Sequence, residues 1–101
     1  MRKTQTLLQV AAALMANPQR RHWGYALSTE SGVRSGALHP VLHRMLNEGW
    51  LQDGWEDISE ASGTRPPRHY YELTETGHLQ LAALLEDARS EPRFQFLQGP
   101  H

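Results

Sequence analysis

Residues 34–74 read RSGALHPVLHRMLNEGWLQDGWEDISEASGTRPPRHYYELT. Within them Leu38, Val41, Leu42, Met45 and Leu46 recur at i, i+3, i+4, i+7 and i+8, the apolar stripe of a core-facing helix. The spacing predicts a helix over 36–48, with Ser35 as its N-cap and Gly49 ending it. Its opposite face carries Gly36, Pro40, His43, Arg44 and Asn47, with His39 at the edge. Pro40 falls near the end of the first turn, where it removes one backbone hydrogen bond. Residues 50–57 and 68–74 then read as strands, the second rich in aromatic residues. In that second strand Tyr71 and Leu73 alternate inward, while Glu72 and Thr74 point out. A turn at Asp53-Gly54 would leave strands too short, so Gly54 reads as a bulge. The turn belongs instead to SEASGTRPPR, where Ser62-Gly63 bends the chain and Pro66-Pro67 stiffens its return.

Outward from this unit the pattern is helical on both sides. Leu7, Ala11, Leu14 and Met15 predict a first helix from Thr4 to Ala16, stopped by Asn17-Pro18. Trp23, Ala26 and Leu27 give the inward face of a second helix over His22–Ser31, with Gly32 as its C-terminal cap. After the second strand, Thr74 can cap a helix from Glu75 to Arg89. Leu81, Leu84, Leu85 and Ala88 form its stripe, which Leu79 and Ala82 widen. Pro92 ends it, and residues 91–101 are expected to form a loose tail whose Phe94, Phe96 and Leu97 are available to a partner. Three helices, a two-stranded hairpin and a last helix predict an α+β, mainly α, winged helix-turn-helix over residues 1–90.

Composition narrows the function. A chain of 101 residues is one domain with one modest core, 39% of its residues being apolar. No apolar run reaches the roughly 20 residues of a membrane span, and Thr4, Gln5 and Gln9 interrupt the apolar start in a way a signal peptide would not. The absence of cysteine excludes disulfides and thiolate metal sites and fits a cytoplasmic location. A net charge of −1 predicts weak non-specific binding to nucleic acid. The charge is nevertheless unevenly placed. Arg34, Arg44, Arg65 and Arg68 lie in the helix–hairpin unit, whereas acids gather at 53–60 and 86–91.

The motifs Gly24-Tyr25, Gly36 to Leu42, Gly49, Trp55, Arg65 to Arg68, Tyr70 to Thr74, and Thr74 to Gly77 occur here in an order that resembles the PadR family of bacterial winged-helix regulators. The resemblance covers most of the chain. It implies a homodimeric, DNA-binding transcriptional repressor, in some members released from DNA by aromatic or other small effectors. Two positions depart from the family pattern. His39 stands where the reading helix usually has tyrosine, and Pro92 cuts the last helix short.

Double-stranded DNA is thus the expected partner. A major groove admits a helix and is read by side-chain donors and acceptors. Ser35, His39 and His43 are the candidates to read bases, and Arg34 and Arg44 to hold phosphates. Tyr25 joins the DNA-contact set from the second helix, and Arg65 and Arg68 join it from the wing. Leu7, Leu8, Ala11 and Leu14 of the first helix, with Leu81, Leu84, Leu85 and Ala88 of the last, are the expected dimer surface. A two-fold pair would present both reading helices to a palindromic operator, half-sites about 34 Å apart or a multiple of it. Trp23, Trp50 and Trp55 are candidates to line a pocket for a small aromatic effector.

Rival readings remain. His39 and His43, spaced i, i+4, suit zinc or nickel, with His22, His69 and His78 as further ligands, and this reading would make the chain a ligand- or metal-gated regulator. Yet no HExxH glutamate follows, and no metal or other cofactor is expected. The near-neutral charge and the acids beside the wing also fit a winged-helix protein-interaction module without DNA binding. No nucleophile elbow, phosphate-cradling glycine loop or paired carboxylates call for an enzyme.

Overall fold

The computed structural model describes residues 3–57 and 66–98. Helix α1 spans Gln5–Ala16, and Thr4 caps it by accepting the Leu7 N–H on its hydroxyl at 3.1 Å. A two-residue strand β1, His22–Trp23, leads directly into helix α2, Gly24–Ser31. Helix α3 covers Ser35–Asn47, strand β2 Leu51–Trp55, strand β3 His69–Leu73 and helix α4 Glu75–Arg89. The strands form one antiparallel sheet in the order β1-β3-β2. Arg65 and the rest of 58–65, including most of the expected wing turn, lie outside the described residues.

The helical periodicity places the elements, and local detail shifts their ends. His22 and Trp23 were expected in a helix but pair with Tyr71 and Tyr70 as β1. Two residues are too few to show a period of two. Arg34, not Ser35, is the N-cap of α3: its carbonyl accepts from Ala37 and Leu38 at 3.0 and 2.8 Å, and no side chain caps the end. Gly54 makes no bulge, since the β2–β3 register runs unbroken from Leu51↔Leu73 to Trp55↔His69. A β-carbon at Gly54 would lie 2.7 Å from Tyr70 Oη, so glycine there admits the tyrosine ring.

The core gathers Leu7, Leu8, Val10, Ala11 and Leu14 from α1, Leu27 from α2, and Leu38, Leu42 and Met45 from α3. Leu51, Tyr71, Leu81, Leu85 and Ala88 close it from the sheet and α4. Each fully buried leucine contributes about 2 kcal/mol through the apolar area it removes from water. The described part of the tail, up to Gln98, is not loose. Residues Pro92–Gln98 form short 3-10 turns kinked at Phe94, whose ring is 2% exposed against the core. Lys3 ties the two ends together through Asp87 at 2.6 Å and Glu91 at 2.5 Å.

A tight junction joins the reading helix to the sheet and to α4. Gly49 takes φ +75 and turns the chain out of α3. The Thr74 hydroxyl donates to Gly49 O at 2.6 Å and accepts from Gly77 N at 2.9 Å, capping α4. The Thr74 N–H donates to Trp50 O at 3.1 Å. Gly77 packs so closely that an added β-carbon would sit 1.8 Å from Trp50 O. Together these contacts fix where α3 stands relative to the hairpin.

Candidate nucleic-acid interface

Helix α3 owes its orientation to its two faces. Leu38, Leu42 and Met45 are buried, and Val41 and Leu46 pack partly against the core. The opposite face is therefore forced outward, leaving Ser35, Gly36, His39, Pro40, His43, Arg44 and Asn47 exposed. The turn into α3 is equally defined. Gly32 takes φ +74 and donates to Ser28 O at 3.0 Å, while the Ser28 and Ser31 hydroxyls bond the Val33 carbonyl and N–H at 2.7 and 3.2 Å. Arg34 is exposed immediately before the helix begins. A free helix N-terminus beside a guanidinium favours an anion.

The wing and α2 meet through one side-chain pair. Arg68 Nη1 donates to Tyr25 Oη at 2.8 Å, and the guanidinium carbon lies 5.1 Å from the tyrosine ring centroid. Tyr25 is 61% exposed, a large aromatic surface left on the outside of α2. Of the expected DNA-contact residues, Tyr25, Arg34, Ser35, His39, His43, Arg44 and Arg68 are all exposed. Tyr25 and Arg68 are in direct contact, and His39 and His43 share a groove. Arg65 lies outside the described residues.

Sequence reasoning named the residues across that groove separately, His69 only as a further metal ligand, and missed that they stand together. Asp53, His69 and Tyr71 of the hairpin face His39, Pro40, His43 and Leu46 of α3 over about 450 Å³. His69 Nε2 donates to Asp53 Oδ2 at 2.7 Å, and Tyr71 Oη lies 3.4 Å from His69 Nδ1. Trp55, 68% exposed, stacks on the His69 ring at 4.8 Å and 19°. Carrying the Leu73–Tyr71 alternation one step back would have put His69 on the side facing α3. Its pairing with Asp53 and Trp55 required the strand register.

The expected dimer residues have another place. Leu7, Leu8, Ala11, Leu14, Leu81, Leu85 and Ala88 are buried in the single chain's own core, and Leu84 packs partly against it. Amphipathicity shows that a face is buried without showing against what. The apolar surface left on this side comes from Leu79, 64% exposed, with Ala82 and Ala83 on the same helix. Phe96, 43% exposed, lines a separate groove with Ala12, Ala13 and Ala16 of α1.

The tryptophans do not converge as an effector pocket would need. Trp23 meets Tyr70 edge-on at 5.8 Å, Trp55 covers His69, and Trp50 packs against the core. On the other side of the hairpin, Arg21 lies 4.2 Å over the Tyr70 ring. His22 is buried, its Nε2 3.0 Å from Asn17 O, and burial holds its pKa below the usual imidazole value. Among the described residues no group of three or more histidine or acidic side chains is placed to hold a metal ion. No helix among them is long and apolar enough to cross a membrane.

Comparison with known proteins agrees with this architecture. A PadR-like transcriptional regulator of Bacillus cereus is 28% identical, with a TM-score of 0.64 over 92% of this chain and 94% of that one. A PadR family transcription regulator of Clostridium difficile has the same fold at 18% identity, with a TM-score of 0.65 over 89% and 97% of the two chains. A PadR family transcriptional regulator of Eggerthella lenta, 22% identical, gives a TM-score of 0.63 over 94% and 84%. No curated protein matches the chain. The model of the transcriptional regulator PadR-like family matches residues 16–83, and the chain belongs to that family.

Proposed function

We propose that the chain is a sequence-specific, double-stranded DNA-binding repressor that acts as a homodimer in the cytoplasm. The observation that carries this reading is the outward polar face of α3, with exposed Arg34 immediately before it; the Tyr25–Arg68 contact between α2 and the wing adds a second exposed basic group. In this reading α3 enters the major groove. Ser35, His39 and His43 meet base edges, Arg34 and Arg44 meet phosphates, and Arg65 and Arg68 grip the adjacent backbone or minor groove. The exposed apolar surface at Leu79 and Phe96 supports a second copy as the neighbour, and two-fold symmetry matches a palindromic operator. A small aromatic effector would act by favouring one arrangement of the two reading helices over the other.

Binding to a duplex by the wild type and by Arg34→Ala/Arg44→Ala, at two salt concentrations, tests this. Loss of affinity is expected, with a salt slope smaller by about 2 per protomer and so about 4 for the bound dimer, one unit for each phosphate contact removed. An unchanged affinity and slope would refute the assignment of α3 to DNA. A wild type that binds no duplex would leave a winged-helix protein-interaction module as the reading that remains.

A further inference from the structure

A duplex that touches the outer face of α3 and the wing at once must cross the groove between them. That groove carries a carboxylate. Asp53, on β2, faces the same space as His39 and His43 of α3, and its side chain is 41% exposed. A backbone phosphate entering there would meet a like charge, which costs affinity.

The sheet supplies a compensating group. His69 stands on β3 opposite Trp55, diagonally across from Asp53, whose own register partner is Tyr71, and donates Nε2–H to Oδ2 at 2.7 Å. Tyr71 Oη at 3.4 Å and the stacked Trp55 ring at 4.8 Å fix the imidazole plane. The imidazole is 33% exposed, so the pair as a whole is open to the groove. The neighbouring Arg68 is directed to Tyr25 instead. His39 and His43 complete the groove's ionisable lining from α3.

We propose that the Asp53–His69 pair gates phosphate binding in the groove between α3 and the wing. The inference rests on the DNA-binding reading above and deepens it. His69 is a positioning residue: it engages the carboxylate oxygen that would otherwise face the phosphate. His39 and His43, on the opposite wall of the groove, are then left free to meet base edges while the strand's phosphate passes the Asp53–His69 pair. Asp53 sets an electrostatic threshold, so that only a well-placed strand is accepted and non-specific duplex is disfavoured.

The test compares the wild type, Asp53→Asn, His69→Gln and the double variant on a duplex selected by the wild type and on a scrambled one. Asp53→Asn is expected to bind roughly twofold to fivefold tighter, the scale of one exposed charge interaction, with the larger gain on the scrambled duplex. His69→Gln is expected to weaken binding by a similar factor, and the double variant to recover at least wild-type affinity. A merely structural pair would make both single variants weaker. Asp53→Asn that binds equally or more weakly, while folded by circular dichroism, overturns the gate and leaves the DNA reading intact. A wild type that binds no duplex overturns both.

Discussion

Arg68 donates to the Tyr25 hydroxyl at 2.8 Å across the gap between the wing and α2. Both side chains are exposed, so the contact adds at most about 1 kcal/mol to stability and its value lies in placing the guanidinium. Arg68→Ala is expected to leave the melting temperature within a few degrees of wild type. It should lower duplex affinity and reduce the salt slope by about 1 per protomer, about 2 for the bound dimer. Tyr25→Phe, which keeps the ring and loses the hydroxyl, should fall between the two. Salt-dependent binding isotherms check both variants.

Among the described glycines, Gly77 is the one least able to accept a side chain. Its β-carbon would lie 1.8 Å from a backbone oxygen, Trp50 O, at the junction that holds α3 against the hairpin. Gly77→Ala is therefore expected to cost about 3 kcal/mol or more in urea unfolding, or to prevent folding. Gly54→Ala meets only the far end of a tyrosine side chain, which can swing away. It should cost about 1 kcal/mol and loosen the Trp23–Tyr70 contact.

The tail anchor Phe94 is buried against the core, and its truncation leaves a cavity that neighbouring turns cannot fill completely. Phe94→Ala should destabilise the fold by about 3 kcal/mol. Phe96, exposed in the groove beside α1, should behave differently. Phe96→Ala is expected to leave monomer stability near wild type and to weaken self-association in sedimentation equilibrium. Unchanged association would remove Phe96 from the dimer surface.

His22 gives the fold an acid sensitivity whose sign is fixed by its burial. Desolvation lowers its pKa below the ordinary 6.5, so the unfolded chain takes up the proton first as pH falls. Stability is then fully present above pH 6.5 and declines as pH drops towards the lowered folded value. Glu91, held below its ordinary 4.5 by Lys3 and then Arg93, loses its contribution only at lower pH, through its own folded pKa. NMR titration of the His22 ring with a midpoint below 6.5, and a melting temperature that falls between pH 7 and 5, are the expected results. A midpoint at or above 6.5 would contradict them.

The helices were legible because a period of 3.6 survives in Leu38, Leu42 and Met45 and in Leu81, Leu85 and Ala88, all of which are buried. The same pattern could not tell core from interface, so the residues assigned to a dimer proved to fill the monomer. Strand β1 was illegible for want of length, and the docking of Phe94 because a single aromatic residue after Pro92 carries no period. The polar face of α3 could be read directly, as what remains after the stripe is removed. The Asp53–His69–Trp55 cluster could not, because it depends on which β2 residue faces which on β3.

The central claim, that α3 and the wing read duplex DNA, is met most directly by selecting bound sequences from a pool of random duplexes at low and near-physiological salt. The account predicts an enriched inverted repeat, its half-sites about one helical turn apart or a multiple of it, with affinity falling steeply as salt rises. A protein that retains no duplex even at low salt would contradict it.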